Sequence, residues 1–248
     1  MLLGEFLKQL CEDQFKGAMD QKVQGDQADA SKNTVNLKNT DVQEIKKELE
    51  WWTVRNEKIS RVQKELQKPT IQRALAFLKV MGKPEAGLFE GQLEQMDTFL
   101  DEAQDHKKFL EGIYRHVRVC IESPDFHTIT LTLRKVMKTL RNAWMLSKHY
   151  NTDEKLVSLI KRITGILVSR VRAVVVVDNF IHLEDMNIKA TESVKLLTEW
   201  EKAFKLTREE IEASGREARW EFPVDDIFNE IHHLKKISND VIEVRRKI

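Results

Sequence analysis

The stretch LRNAWMLSKHYNTDEKLVSLIKRITGILVSRVRAVVVV, residues 140–177, decides the fold class of this chain. Two amphipathic patterns meet at a short polar corner, His149-Tyr150-Asn151-Thr152-Asp153-Glu154. Before the corner, Leu133, Val136, Met137, Leu140 and Trp144 recur at helical spacing. After it, Leu156, Leu159, Ile160, Ile163, Leu167, Val171 and Val174 do the same. The pattern predicts helix, turn, helix, with both apolar stripes needing cover. Val174-Val175-Val176-Val177 is the only strand-like text. It has no strand candidate to pair with, so it reads as the end of the second helix.

Working outward, the 248 residues are one-third charged and 41% hydrophobic, enough for one sizeable core or an array of helices. Only 9 Gly and 4 Pro occur, which disfavours the many tight turns of a β-sandwich or barrel. The expected class is all-α, an elongated helical-bundle stem of about seven helices with short connections. Two segments are expected. Residues 1–40 hold a short helix at 2–19 (Leu3, Phe6, Leu7, Leu10 and Phe15) and a polar linker at 20–40. Residues 41–248 hold the bundle.

The first long helix is expected to open at Thr40 or Asp41, with Glu44 placed as a capping-box partner. Ile45, Leu49, Trp52, Ile59 and Leu66 form a heptad seam with Asn56 and Gln63 on the same line. An ordinary bundle helix explains so short a seam better than a coiled coil. Lys68-Pro69 ends it, and Pro69 suits the first turn of the next helix, with Ile71, Leu75, Leu78 and Val80 to bury. Gly82, Pro84 and Gly87 mark a break. The run Met96, Phe99, Ala103, His106, Leu110, Ile113 and Val117 then makes one long helix or two abutting ones. Residues 178–190 read as irregular. Val194, Leu197, Trp200, Phe204 and Ile211 mark a further helix that stops at Ser214-Gly215, and Pro223 starts the last.

Acids and bases nearly balance, 40 against 41, which disfavours a nucleic-acid partner. No run approaches the roughly 18 apolar residues of a membrane span, and Glu5 and Lys8 break the pattern of a signal peptide. Cys11 and Cys120 are expected to be two reduced thiols of an intracellular protein. There is no P-loop, GxGxxG, GxSxG or HExxH, and no catalytic, cofactor or metal residue is assigned. His232 and His233 are neighbours and point about 100° apart on a helix, so an edge position suits them better than a metal. His106, on an apolar line, reads as a satisfied core histidine. Asp97, Asp101 and Asp105 read as a solvated face. Arg245-Arg246-Lys247 complement the dipole of the last helix.

Adjacent Trp51 and Trp52 cannot both face one seam. Trp52 takes the apolar line and Trp51 its flank, either packed on a third helix or exposed as a partner anchor. Trp51, with Asn56 and Gln63, is the candidate contact for a partner.

From about Val42 to Val241 the chain resembles the N-terminal tail (stem) of dynein heavy chains. The similar text is EIKKELEWWTVRNEKISRVQKELQKPTIQRAL at 44–75, FLDEAQDHKKFL at 99–110, LRNAWMLSKHYNTDEKLVSLIKRI at 140–163, LTEWEKAF at 197–204 and SGREARWEF at 214–222. The corner and the SGREARWEF turn look more like ciliary (axonemal) heavy chains than the cytoplasmic one. That family drives microtubule-based motility with ATPase modules far downstream of the tail. The resemblance implies a non-catalytic tail segment that needs no cofactor. Its implied roles are heavy-chain assembly, intermediate- and light-chain binding, and docking in the axoneme. Contact with microtubules would be indirect, through the whole motor, and the location the cytoplasm and cytoskeleton of the cilium or flagellum. Family heavy chains are many times longer, so a segment, a truncated product and a short paralogue are all open. The alternative is a free-standing helical scaffold or adaptor. An enzyme on a helical fold finds no constellation of residues to support it.

Within the similar text, Asn151 can cap the second helix of the corner, with Glu154 as its box partner. Trp144 and Tyr150 can pack the corner. Gly215 fits the left-handed position past a helix end, Arg216 and Arg219 can bond exposed carbonyls, and Trp220 and Phe222 can pin the turn.

Overall fold

The computed structural model describes residues 37–175, 183–215 and 219–246. Among these the chain is all-α, with seven helices and no strand. They are α1 (Leu37–Leu66), α2 (Pro69–Val80), α3 (Pro84–Glu122), α4 (Phe126–Leu146), α5 (Asp153–Val174), α6 (Leu183–Ala213) and α7 (Val224–Arg246). The chain divides into two compact units, one containing Gln63–Thr98 and the other containing Leu37–Val62 and the chain from Phe99 onward.

In the smaller unit, Leu66, Leu75, Ala86 and Met96 are buried. Pro69 occupies the first turn of α2, where its missing N–H leaves no bond unmade. Gly82 ends α2 at φ 63°, with its own N–H on Lys79 O (2.9 Å) and the Lys83 N–H on Leu78 O (3.0 Å). That bond pair is a Schellman stop, and it needs a residue that tolerates positive φ. Phe77, Leu78, Val80, Met81 and Leu88 are exposed, so neither Leu78 nor Val80 is buried as the sequence suggested.

The larger unit holds the main core. The α4 stripe of Ile129, Leu133, Val136, Met137 and Leu140 is buried, as is the α5 stripe of Leu156, Leu159, Ile160, Ile163, Leu167 and Val171. Helix α6 packs on α4, α5 and α7, and α7 also packs on α5. Trp200 is fully enclosed, and its Nε1–H donates to Thr164 Oγ1 on α5 (3.0 Å). This bond satisfies two polar groups that would otherwise be orphaned in the core. Helix α4 is capped by Asp125, whose carboxylate accepts from the N–H groups of His127 (3.0 Å) and Thr128 (2.9 Å).

Several expectations are corrected. Helix α1 opens at Leu37, ahead of Thr40 and Asp41, so neither residue caps it. Residues 37–40 belong to the helix rather than to a linker. Gly87 lies inside α3, which runs unbroken from Pro84 to Glu122. A single exposed glycine weakens a helix by only about 1 kcal/mol, which the long helix tolerates. Residues 183–190 are helical, part of α6. The expectations for residues 1–36, Val176, Val177, Arg216 and Lys247 lie outside the described residues, as do the side chains of Arg245 and Arg246.

Candidate partner-contact site

Helix α1 presents three lines of residues along its length. Ile45 belongs to the core of the larger unit, Leu49 and Trp52 pack against it, and Ile59 is half-buried. Trp51 and Asn56, five residues apart, sit about 140° from one another, so they lie on opposite flanks of that line.

On one flank, Trp51 meets Trp52 edge-on at 4.4 Å and remains 37% exposed. The Arg55 guanidinium lies over the Trp51 ring (5.2 Å to the centroid) and over the Phe99 ring of α3 (5.5 Å). On the other flank, Asn56 with Gln104, Lys107, Lys108, Glu111, Gly112 and Arg115 of α3 lines an open groove of about 380 Å³. The Asn56 Oδ1 is enclosed and accepts no hydrogen bond. Gln63 is not brought to this site. It belongs to the smaller unit, where its Nε2 donates to Asp97 Oδ1 (2.7 Å). The sequence reading passed over Arg55. Its signal was available: Arg55 sits four residues after Trp51 and three after Trp52, where the flank and the seam meet.

Trp52 stacks on His106 of α3 at 3.9 Å. His106 is fully buried. Its Nδ1 is 2.8 Å from Glu102 O, and its Nε2 is 2.9 Å from Lys155 Nζ. An ammonium has only protons to give, so Nε2 accepts and Nδ1–H donates to the carbonyl. That fixes a neutral ring. Burial pulls its pKa below the usual histidine value, and the Lys155 charge works in the same direction.

The corner between α4 and α5 is closed by long-range bonds. Ser147 Oγ accepts the N–H of Tyr150 (2.6 Å) and of His149 (3.2 Å), and donates to Asp105 Oδ2 on α3. The same carboxylate accepts the N–H groups of Lys148 (3.2 Å) and His149 (3.0 Å). Tyr150 is buried against His106, and its hydroxyl donates to Glu48 of α1 (3.4 Å). Burial, with Glu48 beside it, drives the phenol pKa far up. Arg162 of α5 pairs with Glu48 (3.0 Å) and with Glu44 (3.0 Å). Asp101 contacts His149 (3.2 Å) and Lys148 (3.1 Å), and these bonds hold its carboxyl below the usual range, the His149 bond first. Asp97 and Asp101 stay exposed, as expected of a solvated face, whereas Asp105 is half-buried and holds the corner.

The expected capping box is not formed. Thr152 stands at the N-cap of α5, no side chain caps the helix, and Asn151 and Glu154 are both exposed. Asp153 and Glu154 in the first turn still favour the positive helix end. Trp144 is half-buried and meets Phe222 edge-on at 5.1 Å. After α6, Gly215 adopts φ 64°. Trp220 is buried, touching Phe222 (4.8 Å) and Phe204 (5.6 Å). Among the described residues Arg219 bonds no helix-end carbonyl; it makes an exposed ion pair with Glu221 (3.4 Å). His232 and His233 are exposed, with His232 Nε2 3.2 Å from Glu201.

Among the described residues no cluster of His, Cys, Asp or Glu could hold a metal, and no helix is long and apolar enough to cross a membrane. What the site offers is aromatic and charged surface on a rigid helical frame. The family model "Dynein heavy chain, N-terminal region 1" matches residues 21–248. The chain belongs to the dynein heavy-chain family.

It corresponds to the N-terminal region of those heavy chains, not to their ATPase motor region. It is 32% identical over 204 residues to the Chlamydomonas reinhardtii dynein-1-alpha heavy chain of the flagellar inner arm I1 complex. It is 29% identical over 202 residues to human dynein axonemal heavy chain 10. Both alignments cover 79% of this chain and 4% of the relative, so the chain spans a small fraction of the relatives it matches. A more distant match, 21% identical over 201 residues, is the Chlamydomonas reinhardtii dynein beta chain of the flagellar outer arm. These axonemal and flagellar relatives of the dynein N-terminal region indicate the cytoskeleton of the cilium or flagellum.

Proposed function

We propose that this chain acts as a non-catalytic tail segment of an axonemal dynein heavy chain. In this reading it serves heavy-chain assembly, binds intermediate and light chains, and helps dock the motor for ciliary motility. Residues 41–248 supply the helical framework, and Trp51 and Asn56 mark two flanks open to partners. The observation that carries the reading is the match to the heavy-chain N-terminal region over residues 21–248. The frame of α1, α3 and the α4–α5 corner supports it, because a docking surface needs rigid elements behind it.

The test is co-assembly. The tagged chain, with the neighbouring tail of its heavy chain supplied, is expressed in ciliated cells and purified. Recovery of dynein intermediate chains with it is the expected result. A monomeric chain that ignores them sinks the proposal. An antibody to residues 140–222 separates the free-standing alternative. A band far larger than 29.0 kDa in cilia supports the motor reading. A lone band near 29.0 kDa favours a scaffold or adaptor.

A further inference from the structure

Arg55 is the one arginine buried among the described residues, at 8% exposure, and none of those residues answers its charge with a carboxylate. Its Nε is enclosed with no hydrogen-bond partner, and no described carboxylate pairs with the guanidinium. The contrast along the same line of α1 is sharp. Glu48, seven residues earlier, is fully engaged by Arg162 and Tyr150. Arg55 instead lies between the Trp51 and Phe99 rings. Both rings are open to solvent at 37% and 38%, and Val54 beside them is 48% exposed.

We infer that Trp51, Val54, Arg55 and Phe99 form a receptor site for an acidic peptide segment of a partner protein, one whose single carboxylate is flanked by apolar side chains. The charge calls for a carboxylate, since a buried cation without a counter-ion is unfavourable and a planar fork matches that group best. The open aromatic faces call for apolar neighbours around it. Aromatic and arginine side chains grouped in this way are the usual anchors of protein interfaces. A polyanion such as nucleic acid would need several cations in a row, and this patch provides one. The site rests on the assembly reading only for the kind of molecule it receives.

The test uses the 248-residue chain and a pair of blocked Ala/Leu helical peptides of about 20 residues. One carries a central Glu in its apolar stripe and the other a Gln. Binding is followed by isothermal titration calorimetry, with the indole N–H resonance of Trp51 as a local reporter in the chains that keep that residue. The chain should prefer the Glu peptide by about tenfold or more. Arg55→Met should abolish the preference, Arg55→Lys should keep part of it, and Trp51→Ala should weaken both peptides. An unchanged far-UV spectrum confirms that each variant folds. A chain without preference, or an Arg55→Met chain that keeps it, overturns the site. If the preference vanishes in Arg55→Met while intermediate chains still co-purify with that variant, the inference concerns some other partner segment and is overturned for assembly, with the tail reading left intact. Failure of co-assembly with the preference preserved strikes the tail reading alone.

Discussion

Ser147→Ala probes the corner at its most connected atom. The hydroxyl accepts two backbone N–H groups, of Tyr150 and His149, and donates to the Asp105 carboxylate. His149 N–H keeps a second acceptor in Asp105 (3.0 Å), so its loss is small. Tyr150 N–H has no other acceptor recorded and sits in a buried residue. Leaving such a donor unpaired costs about 1–3 kcal/mol, and a hydrogen bond to a charged group contributes about 1.5–3 kcal/mol. Because Asp105 keeps its other two donors, part of the second term is recovered by relaxation. The expected destabilisation is about 2–4 kcal/mol. Urea unfolding should show a lower midpoint with an unchanged slope. Hydrogen exchange should show the Tyr150 amide losing protection. Ser147→Thr, which keeps the hydroxyl, should recover most of the stability. A Ser147→Ala chain within about 0.5 kcal/mol of the parent, with the Tyr150 amide still protected, would refute the claim that this hydroxyl closes the corner.

Other consequences can be measured on the same chain. Trp200→Phe should destabilise by about 1–2 kcal/mol by orphaning Thr164 Oγ1 (the 3.0 Å bond), and Trp200→Ala by about 3–5 kcal/mol, both read by denaturant unfolding. His106 has a folded-state pKa below its unfolded value, so the unfolded chain binds more protons in that window. Its contribution is therefore complete above about pH 6.5 and is lost as the pH falls through the folded-state value. The acid-side drop in urea midpoint should be smaller in His106→Phe than in the parent. Burial pushes the Cys120 thiol up to about 12. Mass spectrometry after iodoacetamide should find it unmodified in the folded chain and modified in denaturant.

Local pattern was enough for the stripes of α4 and α5, because each apolar residue there needs only a helix to place it on one side. Glycine proved a poor guide to helix ends by itself. Gly82 and Gly215 take positive φ and stop their helices, whereas Gly87 is carried inside α3. The corner was legible as a turn, but its fastening was not. The capping box at Asn151 and Glu154 is a short-range pattern, and no side chain caps α5. The bonds that do hold the turn come from Asp105, 42 residues from Ser147, and from Glu48, 102 residues from Tyr150. No spacing rule reaches that far. At the candidate contact site the sequence singled out Trp51 and Asn56, but it missed Arg55. A charged residue on a seam reads as an ordinary boundary position until its neighbours are known to leave it unpaired.

The order of residues in the corner also bears on how the chain folds while it is being made. Glu44, Glu48, Asp101, Asp105 and His106 all precede the turn, and the groups that answer them from beyond it, Lys155 and Arg162, follow within a few residues. On a ribosome, where N-terminal segments fold first, the polar fastenings of this turn described above are therefore in hand once Arg162 has emerged, and only the Trp144–Phe222 contact waits for later chain. The bend can lock while α6 and α7 are still unmade, and the later helices meet a template already set in its angle.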